Sequence, residues 1–257
     1  DAATHRGLGI IAVLTNSPAW ARTSSMGTYA TAPPEDPRMF ASFAGALAAR
    51  YADQLQVYQV WDEPNLQLGW GSLDPSAVEY TRLLEAAHNA ISDADPSATV
   101  MLAGLAPTTE TGPQNVSDIL FLRQLYYSGA GPYFDAVAGK PYGYNASHED
   151  RTTDPDVMNF SRFVLLREEM ERAGDDSKLL WASNFGWYNG EAAGVSSDTW
   201  GSVTAQRQQV YTLGAYERAW REWPWAGVLV LDNYQPSGAP DDPRWGFSLV
   251  SSDDVPT

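Results

Sequence analysis

The stretch Val57-Tyr58-Gln59-Val60-Trp61-Asp62-Glu63-Pro64-Asn65 joins an apolar run to two adjacent acids and a proline that halts it. The β-branched and aromatic content of residues 57–61 predicts a strand. Similar runs recur at Gly9–Leu14, Thr99–Ala103, Phe134–Ala138, Leu179–Ala182 and Ala226–Leu231. Amphipathic stretches separate them. A helix is expected over about 38–50, with Asp36 as N-cap and Pro37 as its first residue. A second is expected after Asp74-Pro75, with Val78, Leu83, Leu84, Ala87 and Ile91 on one face, ending before Pro96. A third carries Ile119, Leu120, Leu122 and Leu125. A fourth opens at Asp154-Pro155 and carries Phe160, Phe163, Val164 and Leu166. The last spans about 203–221, with Val210, Leu213 and Trp220 on one side, and a short final strand is expected at Gly246–Val250.

Strand alternates with helix, and near-continuous apolar strands are buried on both faces. The fold class is therefore α/β, with a parallel sheet covered by helices. A doubly wound sheet and a TIM (β/α)8 barrel both satisfy this pattern. No Gly-rich phosphate loop follows the first strand, which weighs against a nucleotide-binding sheet. Trp20, Trp61, Trp70, Trp187 and Asp232 crowd just after strand ends, where a barrel builds its active rim. The expectation is one barrel domain over residues 1–257. Six strands are legible rather than eight, and Asp1–Arg6 reads as the end of a helix. Two βα units are thus expected to be missing at the front, with an upstream segment or a second chain covering the bare strand edges.

Of 257 residues, 44% are hydrophobic and 19% charged, the balance of a folded chain. Asp and Glu number 32 against 16 Lys and Arg, a formal net charge of −16. Such a surface repels phosphate, so neither nucleic acid nor an anionic membrane is an expected partner. There is no cysteine, which removes disulfides, thiolate chemistry and cysteine-ligated metals. The three histidines, His5, His88 and His148, are scattered, so no metal site and no cofactor is expected. No apolar run approaches the ~20 residues of a membrane span. Acidity without cysteine suits an extracellular or cell-envelope protein, the location expected here, although it suits many cytosolic proteins as well.

Glu63 is the sharpest candidate for chemistry. At a strand tip, half inside an apolar rim, burial would keep its carboxyl protonated, as a general acid requires; the plainer reading is a strand end capped by two solvated acids. Trp61-Asp62-Glu63-Pro64-Asn65 resembles the W-N-E-P-N signature of clan A glycoside hydrolases, and most of all family 39. Thr15-Asn16-Ser17-Pro18-Ala19-Trp20 resembles the ending of that family's third strand. Phe134–Gly143 resembles its sixth-strand segment F-D-x-V-x-x-H-P-Y-G, and Leu180–Trp187 its seventh-strand segment L-W-x-T-E-F-G-W. The resemblance runs from Gly9 to Val250. It implies that the six strands are the third to eighth of a barrel, and that Glu63 is the acid/base.

Three departures accompany it. Asn184 stands where the family has its nucleophilic Glu, and an amide cannot form a glycosyl ester. Lys140 stands where the family has His. Asp62 replaces the Asn that bonds the sugar 2-hydroxyl; it accepts that bond but cannot donate it. The chain is then a knock-out, a sugar-binding pseudoenzyme, an inverting enzyme with Asp232 as second carboxylate (Glu191 and Glu110 being weaker substitutes), or an enzyme in which a substrate acetamido group attacks. Lys140 reads as a partner for a carboxylate, or outside the resemblance as a Schiff-base lysine. The expected function is hydrolysis of O-glycosidic bonds in a carbohydrate substrate. Glu63 and Asp232 are the catalytic candidates; Asp62, Asn65, Trp20, Trp70, Lys140, Tyr142, Asn184 and Trp187 are the substrate-binding ones.

Overall fold

The computed structural model describes residues 2–23, 29–193, 199–239 and 241–251. It divides into two compact units, Asp1–Ala138 with Glu169–Leu179, and Gly139–Glu168 with Leu180–Thr257.

In the first unit β1 (Ile11–Leu14), β2 (Val57–Val60), β3 (Thr99–Met101) and β4 (Ala136–Gly139) pair in parallel and in chain order. Ile11 faces Val57, Val57 faces Thr99, and Met101 faces Ala136. Parallel neighbours need crossovers. These are α1 (Pro37–Tyr51), α2 (Ala77–Ala94) and α3 (Asp118–Tyr127). Asp36 caps α1 as expected, its carboxylate accepting from the Arg38 N–H at 3.0 Å with Pro37 in first place.

The start of α2 differs from expectation. Its cap is Ser76, not the Asp74-Pro75 pair, and the Ser76 hydroxyl accepts from the Glu79 N–H at 3.2 Å. Ser76-Ala77-Val78-Glu79 is a capping-box sequence, the better local signal. Val78 is exposed, while Tyr80, Leu83, Leu84, Ala87 and Ile91 make the buried face. Across α3, Ile119, Phe121, Leu122 and Leu125 are buried. Residues 169–179 are tied to this unit by the Arg123–Glu169 pair at 2.5 Å, by Tyr126 donating to Asp175 at 2.9 Å, and by Lys178, which lies over the Phe134 ring.

In the second unit β5 (Leu179–Phe185) and β6 (Ala226–Leu231) pair in parallel, with two irregularities between Leu180 and Phe185. α4 (Arg162–Arg172), which belongs to it as far as Glu168, the short α5 (Gly190–Ala193) and α6 (Ala205–Glu222) are its helices. α4 begins later than Asp154-Pro155 predicts. Asp154 instead closes a turn by accepting from the Asp156 N–H at 2.9 Å, and Asn159 accepts from the Arg162 N–H at 3.0 Å.

The apolar side assigned to α6 faces outward: Val210, Leu213 and Trp220 are 51%, 61% and 89% exposed. Its buried stripe is Ala215, Arg218 and Ala219. Small residues let the helix seat closely, and Arg218 reaches past them to donate to the carbonyls of His148 (2.6 Å) and Asp150 (3.0 Å) while lying over Trp223. The expected final strand is not formed at its start: Pro243–Phe247 is a 3-10 turn, capped by Asp242 accepting from the Arg244 N–H at 2.9 Å.

Glu222, at the end of α6, is bound by Arg151 and Arg218. The Arg151 hydrogen bond, more than that of Arg218, holds its carboxyl at about 2, against an ordinary value of 4.5. A carboxylate depressed in the folded state adds stability that is complete above its unfolded value and lost as pH falls through the folded one. Melting temperature should therefore fall as pH drops from about 4.5 to about 2, and Glu222→Gln should flatten that decline in a pH series of thermal melts.

Candidate active site

In the first unit the end of β2 is where the backbone leaves the sheet. Trp61 has φ 72° and Glu63 has φ 51°, left-handed conformations that non-glycine residues seldom adopt. The turn between them is held from several sides. The Glu63 N–H donates to the Gly104 carbonyl at 3.0 Å, the Leu66 N–H donates to the Glu63 carbonyl at 3.0 Å, and Asp62 bridges Gly104 in parallel register. The indole N–H of buried Trp61 donates to the Gly69 carbonyl at 2.9 Å. Gly69 has no room for a side chain, since a Cβ there would lie 2.1 Å from the Glu63 carbonyl oxygen. Gln59, buried within β2, donates to the Trp61 carbonyl at 2.9 Å and to a carboxylate oxygen of Asp62 at 3.1 Å. Glu63 and Asp62 themselves are half-buried.

Asn65 departs from its expected role. It is 0% exposed, and its amide is spent on the chain. It accepts from the Ala106 N–H at 3.0 Å and donates to the carbonyls of Ala106 (2.8 Å) and Val116 (2.9 Å). A side chain so used cannot bind a sugar; it fastens the loop that follows the acid. Trp70 is also corrected: it is buried, edge-on to Trp61 at 5.7 Å and to Tyr80 at 6.1 Å, and so belongs to the core. Trp20 is 77% exposed, on a cleft of about 470 Å³ shared with Pro18, Pro34, Met39 and Phe43. Glu110 is exposed and accepts from Asn115 at 2.8 Å.

In the second unit the hydroxyl of Tyr142 donates to Asp232 at 2.7 Å, which orients one carboxylate oxygen. The Asp232 N–H donates to the Phe185 carbonyl at 2.9 Å, fixing the first residue after β6 to the end of β5. The Asp232–Asn233 peptide is cis. Asn184 is half-buried, one residue before the end of β5, and Lys140 is buried directly after β4. Glu191 is exposed on α5. Trp187 corrects another expectation. It is fully buried, its indole N–H donates to the Ala146 carbonyl at 2.7 Å, and a Cβ on Gly143 would sit 1.9 Å from its ring. It is packing, not a sugar platform.

Two local groupings result: Asp62 and Glu63 on one braced turn, and Tyr142 with Asp232 at one strand end. Carboxylates on rigid supports can deliver and accept protons at defined positions. Gln59 is a residue that pattern alone does not single out, although one amide inside an apolar strand is a visible signal.

No protein-family model and no curated protein matches the chain. Solved structures do. A family 39 glycoside hydrolase from the gut symbiont Bacteroides cellulosilyticus WH2 superposes with TM-score 0.69 at 18% identity, over 99% of this chain and 49% of its own. A monomeric β-xylosidase from Caulobacter crescentus CB15 gives TM-score 0.69 at 19% identity, over 100% and 52%. A GH128 (subgroup II) endo-β-1,3-glucanase from Sorangium cellulosum gives 0.62 at 15%, over 100% and 80%. The chain thus spans about half the length of the first two. Likeness at these identities shows the fold, that of barrel-type glycoside hydrolases.

Asn65→Ala should destabilise the first unit by about 2–3 kcal/mol in urea denaturation, because buried backbone groups lose their partner, whereas Trp20→Ala should change stability by less than about 0.5 kcal/mol.

Proposed function

We propose that the protein hydrolyses O-glycosidic bonds, with Glu63 as general acid/base. The observation that carries this reading is the braced, left-handed presentation of Glu63 at the end of β2, within a fold shared with glycoside hydrolases. The neighbours include a β-xylosidase, an endo-β-1,3-glucanase and an agarase. A β-linked sugar chain or glycoside is the substrate class they support.

Because Asn184 cannot act as a nucleophile, the proposed route is inverting. Glu63 gives its proton to the leaving oxygen as the C–O bond breaks. Asp232, oriented by Tyr142, takes a proton from the water whose oxygen forms the new bond to the sugar carbon. Asp62, Lys140 and Asn184 are assigned to the sugar's hydroxyls, and Trp20 to stacking on a ring face. The scheme calls on no cofactor. We further propose that the apolar side chains exposed on β1 (Val13) and on β6 (Val228) are covered by an upstream segment or a second chain carrying further βα units, in one barrel domain with residues 1–257. An extracellular or envelope location fits a polysaccharide substrate.

The amide at Asn184 favours one other reading, a sugar-binding protein or disabled retaining enzyme that binds sugar without the chemistry. A panel of aryl glycosides and polysaccharides separates the two. On the leading reading Glu63→Gln lowers kcat by about a hundredfold or more, Asp232→Asn does likewise, and Asn184→Glu brings no gain. Turnover unaffected by Glu63→Gln would remove the assignment, and activity appearing only in Asn184→Glu would establish the disabled enzyme.

A further inference from the structure

We propose that Tyr80 is a positioning residue for Glu63, its hydroxyl tying the ends of β2 and β3 together and so fixing the turn that presents the carboxyl. The inference rests on the reading of Glu63 as acid/base and adds a residue on a different element.

The sheet supplies the first observation. β2 and β3 pair in regular parallel register up to Gln59 opposite Met101. Pairing resumes, with the same offset, only where Asp62 bridges Gly104. In the gap the chain turns left-handed at Trp61, whose N–H donates to Leu14 on the β1 side at 2.7 Å. Two backbone groups facing the gap then need a partner, and Tyr80, reaching over from α2, supplies both. Its hydroxyl donates to the Val60 carbonyl at 2.8 Å and accepts from the Ala103 N–H at 2.8 Å. One oxygen thus replaces the missing rung, immediately before the two residues that hold the acid.

The clamp is rigid and permanently protonated. Tyr80 is completely buried. Burial pushes its ionisation far above the ordinary tyrosine range; the Ala103 N–H opposes this and the nearby charge of Asp62 reinforces it. The hydroxyl therefore donates and accepts at any working pH. Its ring continues the same support, edge-on to Trp70, which is edge-on to Trp61, whose indole bonds Gly69 beneath the Glu63 carbonyl. Misplacing a proton donor by even an ångström is costly to a reaction that depends on its alignment.

The test compares Tyr80→Phe with Phe121→Leu, a substitution in the ring packed against Tyr80 at 6.4 Å that weakens the same core without touching the hydroxyl. Tyr80→Phe should lower kcat on the order of tenfold to a hundredfold with KM within about twofold, and should displace the limb of the pH profile that reports Glu63. Phe121→Leu should lose stability yet keep kcat and the profile. Equal kcat losses in both variants, or an unmoved profile in Tyr80→Phe, would overturn the proposal. Absence of turnover in the unsubstituted protein would count against the glycosidase reading alone. The clamp is then judged by carbon-detected NMR titration of the Glu63 carboxyl and by amide exchange at Ala103 and Gly104: both should change in Tyr80→Phe, and no change would refute it.

Discussion

Two left-handed residues within three positions, Trp61 and Glu63, set the terms for the first unit. Each such conformation costs on the order of 1–2 kcal/mol for a residue with a side chain. It persists only where neighbours over-determine it. Here they do so on every side: Gly104 holds the backbone of Glu63, Asn65 fastens the loop that follows, Tyr80 spans the break in the ladder, and Trp61 buries its ring while bonding Gly69. Most of the polar side chains around the acid are therefore engaged with the protein's own backbone. That economy lets a short strand of four residues end directly on a pair of acids.

The second unit reaches a similar end by different means. Its acid, Asp232, follows a strand directly and is oriented by a tyrosine rather than by a braced loop. Aromatic packing supplies the rigidity. Phe160 meets Phe185, Trp187 and Trp223, and Tyr188 meets Trp200 and Phe247. Gly143 leaves the space that the Trp187 ring needs. Aromatic residues make up 12% of the chain, with 10 Trp, and much of that content is thus structural, which limits how many tryptophans can meet a ligand.

The strands were legible because a short, continuous apolar run rich in β-branched residues fits little besides a strand, and the runs at residues 9–14, 57–61, 99–103, 134–138, 179–182 and 226–231 each overlap one, although β5 continues beyond its run to Phe185. Helix starts were less so. Asp-Pro is a sound cap signal at α1, but Ser76 and Asn159 hold the chain at α2 and α4, where a competing side chain sits nearer the first turn. On α6 the most apolar side is not the buried one, since periodicity measures hydrophobicity and not how closely small residues let a helix approach. At the site, residue type was readable and orientation was not. Asn65, Trp70 and Trp187 have the chemistry of sugar contacts, yet where an amide or an indole spends its hydrogen bonds depends on loops distant in sequence, such as those at Ala106 and Ala146. The helical pattern of α2 does not single out Tyr80, because the two groups its hydroxyl joins, at Val60 and Ala103, lie on other elements.

The aromatic contacts also give each half of the molecule its own optical signature. Trp61 and Trp70 meet at 5.7 Å in the first unit, edge to face; Trp223 and Trp225 stack at 5.3 Å with a 20° tilt in the second. Indoles this close couple excitonically, and the sign and shape of the resulting ellipticity follow their mutual angle. The two differently angled couplets make intrinsic far-ultraviolet reporters, so that loosening beneath the acid and loosening of the other half register as separate spectral events without any attached label.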